Sequence, residues 1–408
     1  MAIKKPLNYK YMKGEQYMLK TGEYLQLAPV LFGTGTHGKA GAKAKELGMT
    51  KVMLVTDKAV ESLGHPGKVA ESLKSEGIEV IVWNGALQDC PDYSIIDAAK
   101  ICRENNIDGI VGIGGGSVLD TAKAIAAVAP NGDDVLDDIA LYINGQKDYA
   151  NPRHKILLMP TTAGTGSEAT FVAVVSSTKH NAKIGLPSPP DYAIVDPEFI
   201  VGCPPFVTAF TGLDAFSHAN EALTEKNNTA HSDLLAYEVM RLVTKWLPIA
   251  VNDVYNIEAR EYLAFASNLA GIAFNESGVH VGHSLAHELG HRYKLPHGVS
   301  CALLTPAVIE FVAKTYPEKT RKIGEVMGVE FESEEPEHIG KAVADAVRKL
   351  AKEVKIPTFT ELGLTREQVL EVGPYAYNSA DPLCSAYDGE LTLEDVNRIL
   401  EIAYDNYQ

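Results

Sequence analysis

Apolar residues fall in two different rhythms along this chain. Up to about residue 200, short continuous runs alternate with helix-sized stretches: KVMLVTD at 51–57, EVIVWNG at 79–85, DGIVGIGGGS at 108–117, KILLMPTT at 155–162 and YAIVDP at 192–197. Runs of that length suit strands buried on both faces, so the pattern predicts a parallel sheet covered by helices on either side. Beyond VGCPPFVTAF the runs stop and apolar positions recur every three or four residues. Ile339, Val343, Val347, Leu350 and Val354 show it, and Pro357 closes that stretch. An all-helical second half is expected. Pro204 and Pro205 stand at the change, which places an α/β domain at 1–205 and a helical domain at 206–408.

The chain's 408 residues, 46% of them apolar, suffice for two sizeable cores. A net charge of -16 with no extended basic run argues against nucleic acid as a partner. No apolar h-region follows the mildly basic start, and no uncharged apolar stretch of about 20 residues occurs, so a cytoplasmic protein without a membrane partner is expected. Five cysteines are scattered singly, without a C-x-x-C pair, and are expected to be reduced and structural.

Two glycine-rich stretches follow predicted strands. In IVGIGGGSVLDTAKAIA, Gly114, Gly115 and Gly116 precede Ser117 and a helix expected from about Val118. Such a turn lets backbone N–H groups close on a pyrophosphate at the positive end of a helix. It is not the G-x-G-x-x-G of a standard Rossmann loop, and a tight turn needing glycine for steric reasons gives the same letters. PTTAGTGSE at 160–168 adds a second such loop, with the Thr161, Thr162, Thr165 and Ser167 hydroxyls. Together they favour a nucleotide. Asp57, ending an early strand, could accept from a ribose 2'-OH and repel a 2'-phosphate, which would prefer NAD to NADP; it is equally placed to cap the next helix.

Metal-ligand residue types gather in the second half. Asp214 and His218 in TGLDAFSHANEAL are four apart and so share one helix face. VGHSLAHELGHRYKLPHG adds His283, His287, His291 and His297. One Asp with three imidazoles makes a four-ligand site for Fe²⁺ or Zn²⁺. A competing arrangement lies in HELGHRYKLPH, where His287, His291 and His297 would bind zinc and Glu288 would act as general base of a metallopeptidase. That pattern calls for Gly three positions after its second His, where the chain turns sharply. Lys294 stands there and is expected to resist a left-handed conformation. The peptidase arrangement also leaves both glycine loops and the Asp214/His218 pair without a use.

The order GGGS, PTTAGTGSE, TGLDAFSHANE, GHSLAHELGHRYKLPHG resembles the iron-containing (group III) alcohol dehydrogenase family over roughly residues 28–320, with a looser helical tail. The resemblance implies an N-terminal Rossmann-like dinucleotide-binding α/β domain, an all-α C-terminal domain and a metal in the cleft between them. It places the metal ligands on Asp214, His218, His283 and His297, and His287 near the nicotinamide and substrate. Cofactor contacts fall on Asp57, Gly115, Gly116, Ser117, Asp120, Thr161, Thr162 and Lys183. The implied activity is hydride transfer between NAD(H) and a short-chain alcohol or aldehyde held by Fe²⁺, or by Zn²⁺ or another divalent ion, in a homo-oligomer that is a dimer or larger. His287, alone or with the ribose hydroxyls, would relay the proton.

The chain departs from the family in three places. DCPD at 89–92 puts Cys90 where Asn precedes Pro91, leaving one cofactor contact open, and the leading segment of about 25 residues is longer than the family suggests. His280, His291, Arg292 and Lys294 stand where smaller or more apolar side chains are expected. Of these, His280 and Arg292 are candidates to hold an anionic group on the substrate, the alternative being surface pairs with acidic residues. Besides the peptidase, a non-catalytic nucleotide-binding protein is the remaining alternative.

Overall fold

A computed structural model of the protein describes residue 24, residues 26–379 and residues 383–407; the long leading segment lies outside them apart from Tyr24. Eight strands occur among the described residues: β1 (Val30–Phe32), β2 (Lys51–Val55), β3 (Glu79–Trp83), β4 (Gly109–Gly114), β5 (Lys155–Pro160), β6 (Val172–Ser177), β7 (Ala182–Pro187) and β8 (Tyr192–Val195). Six form one parallel sheet in the order β1-β8-β5-β4-β2-β3. The five apolar runs are all in it. β6 and β7 form a separate antiparallel hairpin that the apolar runs did not announce.

Both faces of the sheet are covered, as unbroken apolar strands require. Successive residues of β2 divide between two cores. Val52 and Leu54 pack with Ala40, Ala44, Val69 and Leu73 of helices α1 (Ala40–Glu46) and α3 (His65–Ser75), which flank the short α2 (Lys58–Ser62). Met53 and Val55 pack with Ile95, Ala98, Leu119 and Ile125 of α4 (Asp92–Glu104) and α5 (Gly116–Asn131). Two short helices, α6 (Asp134–Asp137) and α7 (Ile139–Ile143), lead into β5.

From β2 the chain runs to the sheet edge at β3 and then returns to β4 on the other side of β2. The crevice at the carboxyl ends of strands on either side of such a reversal is where open α/β sheets bind ligands. Val55 pairs with Gly112, so Asp57 and Gly114 leave the sheet side by side at that crevice.

After β8 the described residues form helices and no further strand: α8 (Pro205–Ala222), α9 (Ala230–Asn252), α10 (Ile257–Ser277), α11 (Val281–Tyr293), α12 (His297–Val312), α13 (Pro317–Met327), α14 (Pro336–Glu353), some short C-terminal pieces and a last helix at Leu393–Asp405. None is long and apolar enough to cross a membrane. α8 is enclosed by α9, α10 and α12 and is buried nearly all round, so its polar side chains carry a desolvation cost unless they are partnered or hold a ligand.

Two glycines of the 160–168 loop allow it to press on these helices. A Cβ on Gly164 would lie 2.6 Å from Thr211 of α8, and one on Gly166 would lie 2.6 Å from Gly271 of α10. Glu168, buried, accepts from Asn268 Nδ2 at 2.9 Å. These two glycines therefore join sheet to helices rather than forming a second phosphate cradle.

Candidate active site

Asp214, His218 and Glu221 follow one another along one face of α8 at spacings of four and three. His283 and His287 lie one turn apart on α11, and His297 opens α12 with Cys301 one turn further on. One donor atom from each of Asp214, His283, His297 and Cys301 falls within 4.8 Å of the others, a spread that suits a single coordinated ion. His297 Nε2 is 3.6 Å from Asp214 Oδ1, which is buried and has no hydrogen-bond donor. A buried carboxylate oxygen without a partner is costly unless a cation meets it, so the donor set fits a divalent metal.

His218 is beside this group but outside it. Its ring stacks on Phe274 at 4.2 Å and on His283 at 4.5 Å, and its Nδ1 is buried without a partner. His287 is the next neighbour, its ring centre 5.3 Å from that of His297.

Electrostatics follow from burial. Burial pushes the Asp214 carboxyl up to about 6, only partly offset by His283, Cys301 and Lys183. Burial, reinforced by their imidazole neighbours, holds His218 and His297 well below the usual histidine range. His287 is also well below it, through burial, then Lys183 and His283. All three are thus neutral, the form in which imidazole binds metal or accepts a proton. His283 differs: burial would lower it, but Cys301 and Glu221 outweigh that and raise it well above the ordinary value.

Sequence reasoning missed Glu221 and Cys301. Glu221 Oε1 is 3.1 Å from His283 Nδ1, and its other oxygen accepts from the His280 backbone N–H at the start of α11. The signal was present, because Glu221 continues the Asp214/His218 spacing by three. Cys301 Sγ lies 3.5 Å from His297 Nε2 and 3.9 Å from His283 Nε2. It was expected to be merely structural; its position four after His297 was the available clue.

The site opens into a cavity of about 570 Å³ between sheet and helices. Asp214, His218, His283, His287 and His297 line one wall, and Gly116, Ser117, Asp120 and Lys183 the other. α5 begins at Gly116 after Gly115, with no side chain capping its first turn; Val118 N–H turns back to Gly115 O at 2.9 Å, and the Gly116 and Ser117 N–H groups ahead of it are the ones an anion could meet. A Cβ on Gly115 would meet nothing closer than Thr162 at 3.5 Å, so that side of the turn is open, whereas Gly116 is fixed by Thr165 at 2.5 Å. Thr161 donates its backbone N–H to Gly114 O at 2.9 Å, holding the two glycine-bearing loops together. Asp57 caps α2, its Oδ1 accepting from Val60 N–H at 2.8 Å, which leaves its second oxygen free of that bond.

Asp120 is used internally, accepting from Ser167 Oγ at 2.6 Å and Val174 N–H at 3.1 Å. Lys183 Nζ donates to Asp89 Oδ1 at 2.6 Å, and Asp89 N–H donates to Ser117 Oγ at 3.1 Å. Asp89 and Cys90, the departure noted before Pro91, both line the cavity and both have left-handed φ, 64° and 48°.

The structure does not bring His280 and Arg292 to this cavity. His280 is fully buried behind the metal-type residues, with Nε2 2.8 Å from Thr224 Oγ1. Arg292 lies at the surface, bonded to Glu288 Oε2 at 3.1 Å with its guanidinium 3.5 Å over the Tyr375 ring. The surface-pair alternative describes Arg292, and neither residue is placed to hold a substrate anion.

Lys294 also corrects an expectation. It adopts the left-handed conformation at the end of α11, φ 57° and ψ 29°, with its N–H on Gly290 O at 3.0 Å. The peptidase pattern is disfavoured on other grounds: His291 and Glu288 belong neither to the donor group nor to the cavity wall.

Comparison with known proteins agrees with this architecture. The profile of the family described as iron-containing alcohol dehydrogenase matches residues 28–197, and that described as Fe-containing alcohol dehydrogenase family, C-terminal, matches 208–404. The helical tail is thus included. An NAD-dependent methanol dehydrogenase of Bacillus methanolicus is 33% identical over 380 residues, covering 91% of this chain and 97% of that one. A 1,3-propanediol dehydrogenase of Citrobacter freundii is 34% identical over 340 residues, 82% of this chain and 87% of that one. The solved alcohol dehydrogenase from Oenococcus oeni superposes with a TM-score of 0.88 at 30% identity, covering 94% of this chain and all (100%) of that one.

Proposed function

The chain belongs to the iron-containing alcohol dehydrogenase family, whose members are oxidoreductases of CH–OH groups, and from that premise we propose that it interconverts a short-chain alcohol and its aldehyde with NAD(H) and a divalent metal, Fe²⁺ by family and Zn²⁺ as the alternative. The observation that carries this reading is Asp214 Oδ1, buried and without a donor, facing His297 Nε2 across a cavity from the uncapped start of α5.

In this reading Asp214, His283 and His297 hold the metal, and His218, stacked on His283 with its buried Nδ1 unpartnered, turns to join them. Gly115, Gly116 and Ser117 receive the pyrophosphate at the α5 N-terminus, with Thr161 and Thr162 beside it and Asp57 on the adenosine ribose. When bound, the metal polarises the substrate oxygen and the nicotinamide exchanges hydride with the substrate carbon. Asp120, on the cavity wall, fixes the loop and hairpin around the cofactor through Ser167 and Val174. Lys183, held by Asp89, keeps a positive charge facing His287 and so favours its neutral form. The neutral His287 imidazole nitrogen then takes the hydroxyl proton and passes it toward solvent. Phe274, stacked on His218, helps exclude water from that side.

Lysine and arginine offer an anionic group on the substrate little hold here. Lys183 is the only Lys or Arg on the described cavity wall, and Asp89 already pairs with it.

Following NADH absorbance with a panel of alcohols and aldehydes, before and after chelation and with Fe²⁺ or Zn²⁺ restored, tests the proposal. Turnover that disappears on chelation and returns with metal is expected. Turnover indifferent to chelation, or none with any substrate, contradicts it.

A further inference from the structure

Cys301 is the residue at this site that neither the motifs nor the family reading uses. It is 2% exposed, and its Sγ approaches two imidazole nitrogens at once, His297 Nε2 at 3.5 Å and His283 Nε2 at 3.9 Å. With Asp214 Oδ1 and these nitrogens it completes a set of four donors within 4.8 Å. We infer that Cys301 is a sulfur ligand of the metal. The inference rests on the proposed metal site and adds a donor to it.

The distances have the size that coordination demands. Metal–sulfur and metal–nitrogen arms of about 2.3 Å and about 2.05 Å leave sulfur and nitrogen from about 3.1 Å apart at octahedral angles, where positions remain for His218 and the substrate oxygen, to about 3.5 Å at tetrahedral ones. His297 meets that separation and His283 exceeds it by a few tenths of an ångström. A thiol acting only as a hydrogen-bond donor accounts for less. Its one proton can serve only one of His297, His283 and Asp214, leaving the other two unmet. A single cation satisfies all four atoms together.

The helices explain why the sulfur arrives there. Pro296 starts α12 at His297, and four residues on, Cys301 returns to the same face. Asp214, His283 and His297 line the cavity whereas Cys301 does not, so the sulfur approaches from the protein side and leaves the substrate side open. As the metal–sulfur bond forms, the S–H proton is released to solvent, and metal and sulfur keep their oxidation states. A thiolate in the set favours Zn²⁺, Co²⁺ and Fe²⁺ over Mg²⁺ and Mn²⁺.

The test is optical and independent of turnover. The full-length protein is stripped with a chelator and titrated with Co²⁺ under oxygen-free conditions. We expect one equivalent to bind with visible d–d absorption and a near-ultraviolet sulfur-to-cobalt charge-transfer band. In Cys301→Ala and Cys301→Ser the charge-transfer band should vanish while visible absorption from one bound ion remains; the other four cysteines are present in both variants. Cys301→Asn serves the same comparison if the smaller side chains impair folding. A wild-type protein that binds one Co²⁺ without the charge-transfer band, or a band that persists in the variants, overturns the inference while leaving the metal site intact. Absence of stoichiometric Co²⁺ binding in the wild type, or binding unaffected by Asp214→Ala, overturns the site itself and the inference with it.

Discussion

Glu221 Oε1 stands 3.1 Å from His283 Nδ1. A carboxylate on the far nitrogen of an imidazole fixes its tautomer and aims the other nitrogen, an arrangement that commonly supports metal-binding histidines. Burial would raise Glu221, but His280 and His283 hold it low, so it is charged in this place. Gly282 admits it, since a Cβ there would lie 2.1 Å from Glu221 Oε1. Glu221→Gln should therefore weaken metal affinity on the order of 10- to 100-fold, and Gly282→Ala should act in the same direction. Competition with a chromogenic chelator measures both. Unchanged affinity in each variant would deny Glu221 this positioning role.

His287→Ala should lower kcat by about 100-fold or more if this imidazole relays the proton. Its pH signature has a definite sign. Burial, Lys183 and His283 depress the group, so it is neutral throughout the range above its ordinary value of 6.5 and protonates only on the acid side of that. Alcohol oxidation should rise with pH through this acid limb and level off by neutrality, and the limb should be missing in the variant. An identical profile in both proteins would remove the relay.

Asp57→Ser separates two uses of one carboxylate. Serine can accept from Val60 N–H as Asp57 does, so stability should change by less than about 1 kcal/mol. The charge that repels a 2'-phosphate is lost, so kcat/KM for NADPH relative to NADH should rise. If the preference stays fixed, Asp57 is only a helix cap.

Asp191 ties β5 to β8. It accepts from Arg153 Nη1 at 2.6 Å, Lys155 Nζ at 2.9 Å and Ile156 N–H at 2.8 Å. Burial opposes its ionisation but Arg153 and Lys155 outweigh that and hold it below 3.8. Its contribution is thus complete above pH 3.8 and fades as pH falls through the lower folded value. Asp191→Asn should cost about 1.5–3 kcal/mol in urea unfolding at neutral pH, and the gap should narrow under acid. A gap independent of pH would mean that packing, not charge, is what the substitution disturbs.

Much of this was legible in the chain because burial writes itself into composition. β2, β4 and β5 sit between two helical layers and show as unbroken apolar runs, and α14 carries a periodic stripe because only one face is buried. The β6–β7 hairpin escaped notice because VAVVSS is apolar through Val172–Val175 and polar at Ser176 and Ser177 whether the position is half-buried or buried, so no alternation marks it. Asp214, His283 and His297 were recognisable by type and spacing. Cys301 was not recognised, since its spacing of four after His297 counts only once His297 is known to sit at the site, and His280 misled because burial against Thr224 leaves no trace in sequence. Lys294 misled for a related reason: one left-handed residue at a helix end is tolerable when its N–H is satisfied.

Metal content per chain decides the central claim most directly, measured in the wild type and in Asp214→Ala, His283→Ala, Glu288→Ala and His291→Ala after identical purification. One ion per chain in the wild type, Glu288→Ala and His291→Ala, with loss in Asp214→Ala and His283→Ala, is the predicted result. Retention in Asp214→Ala and His283→Ala with loss in His291→Ala would contradict it.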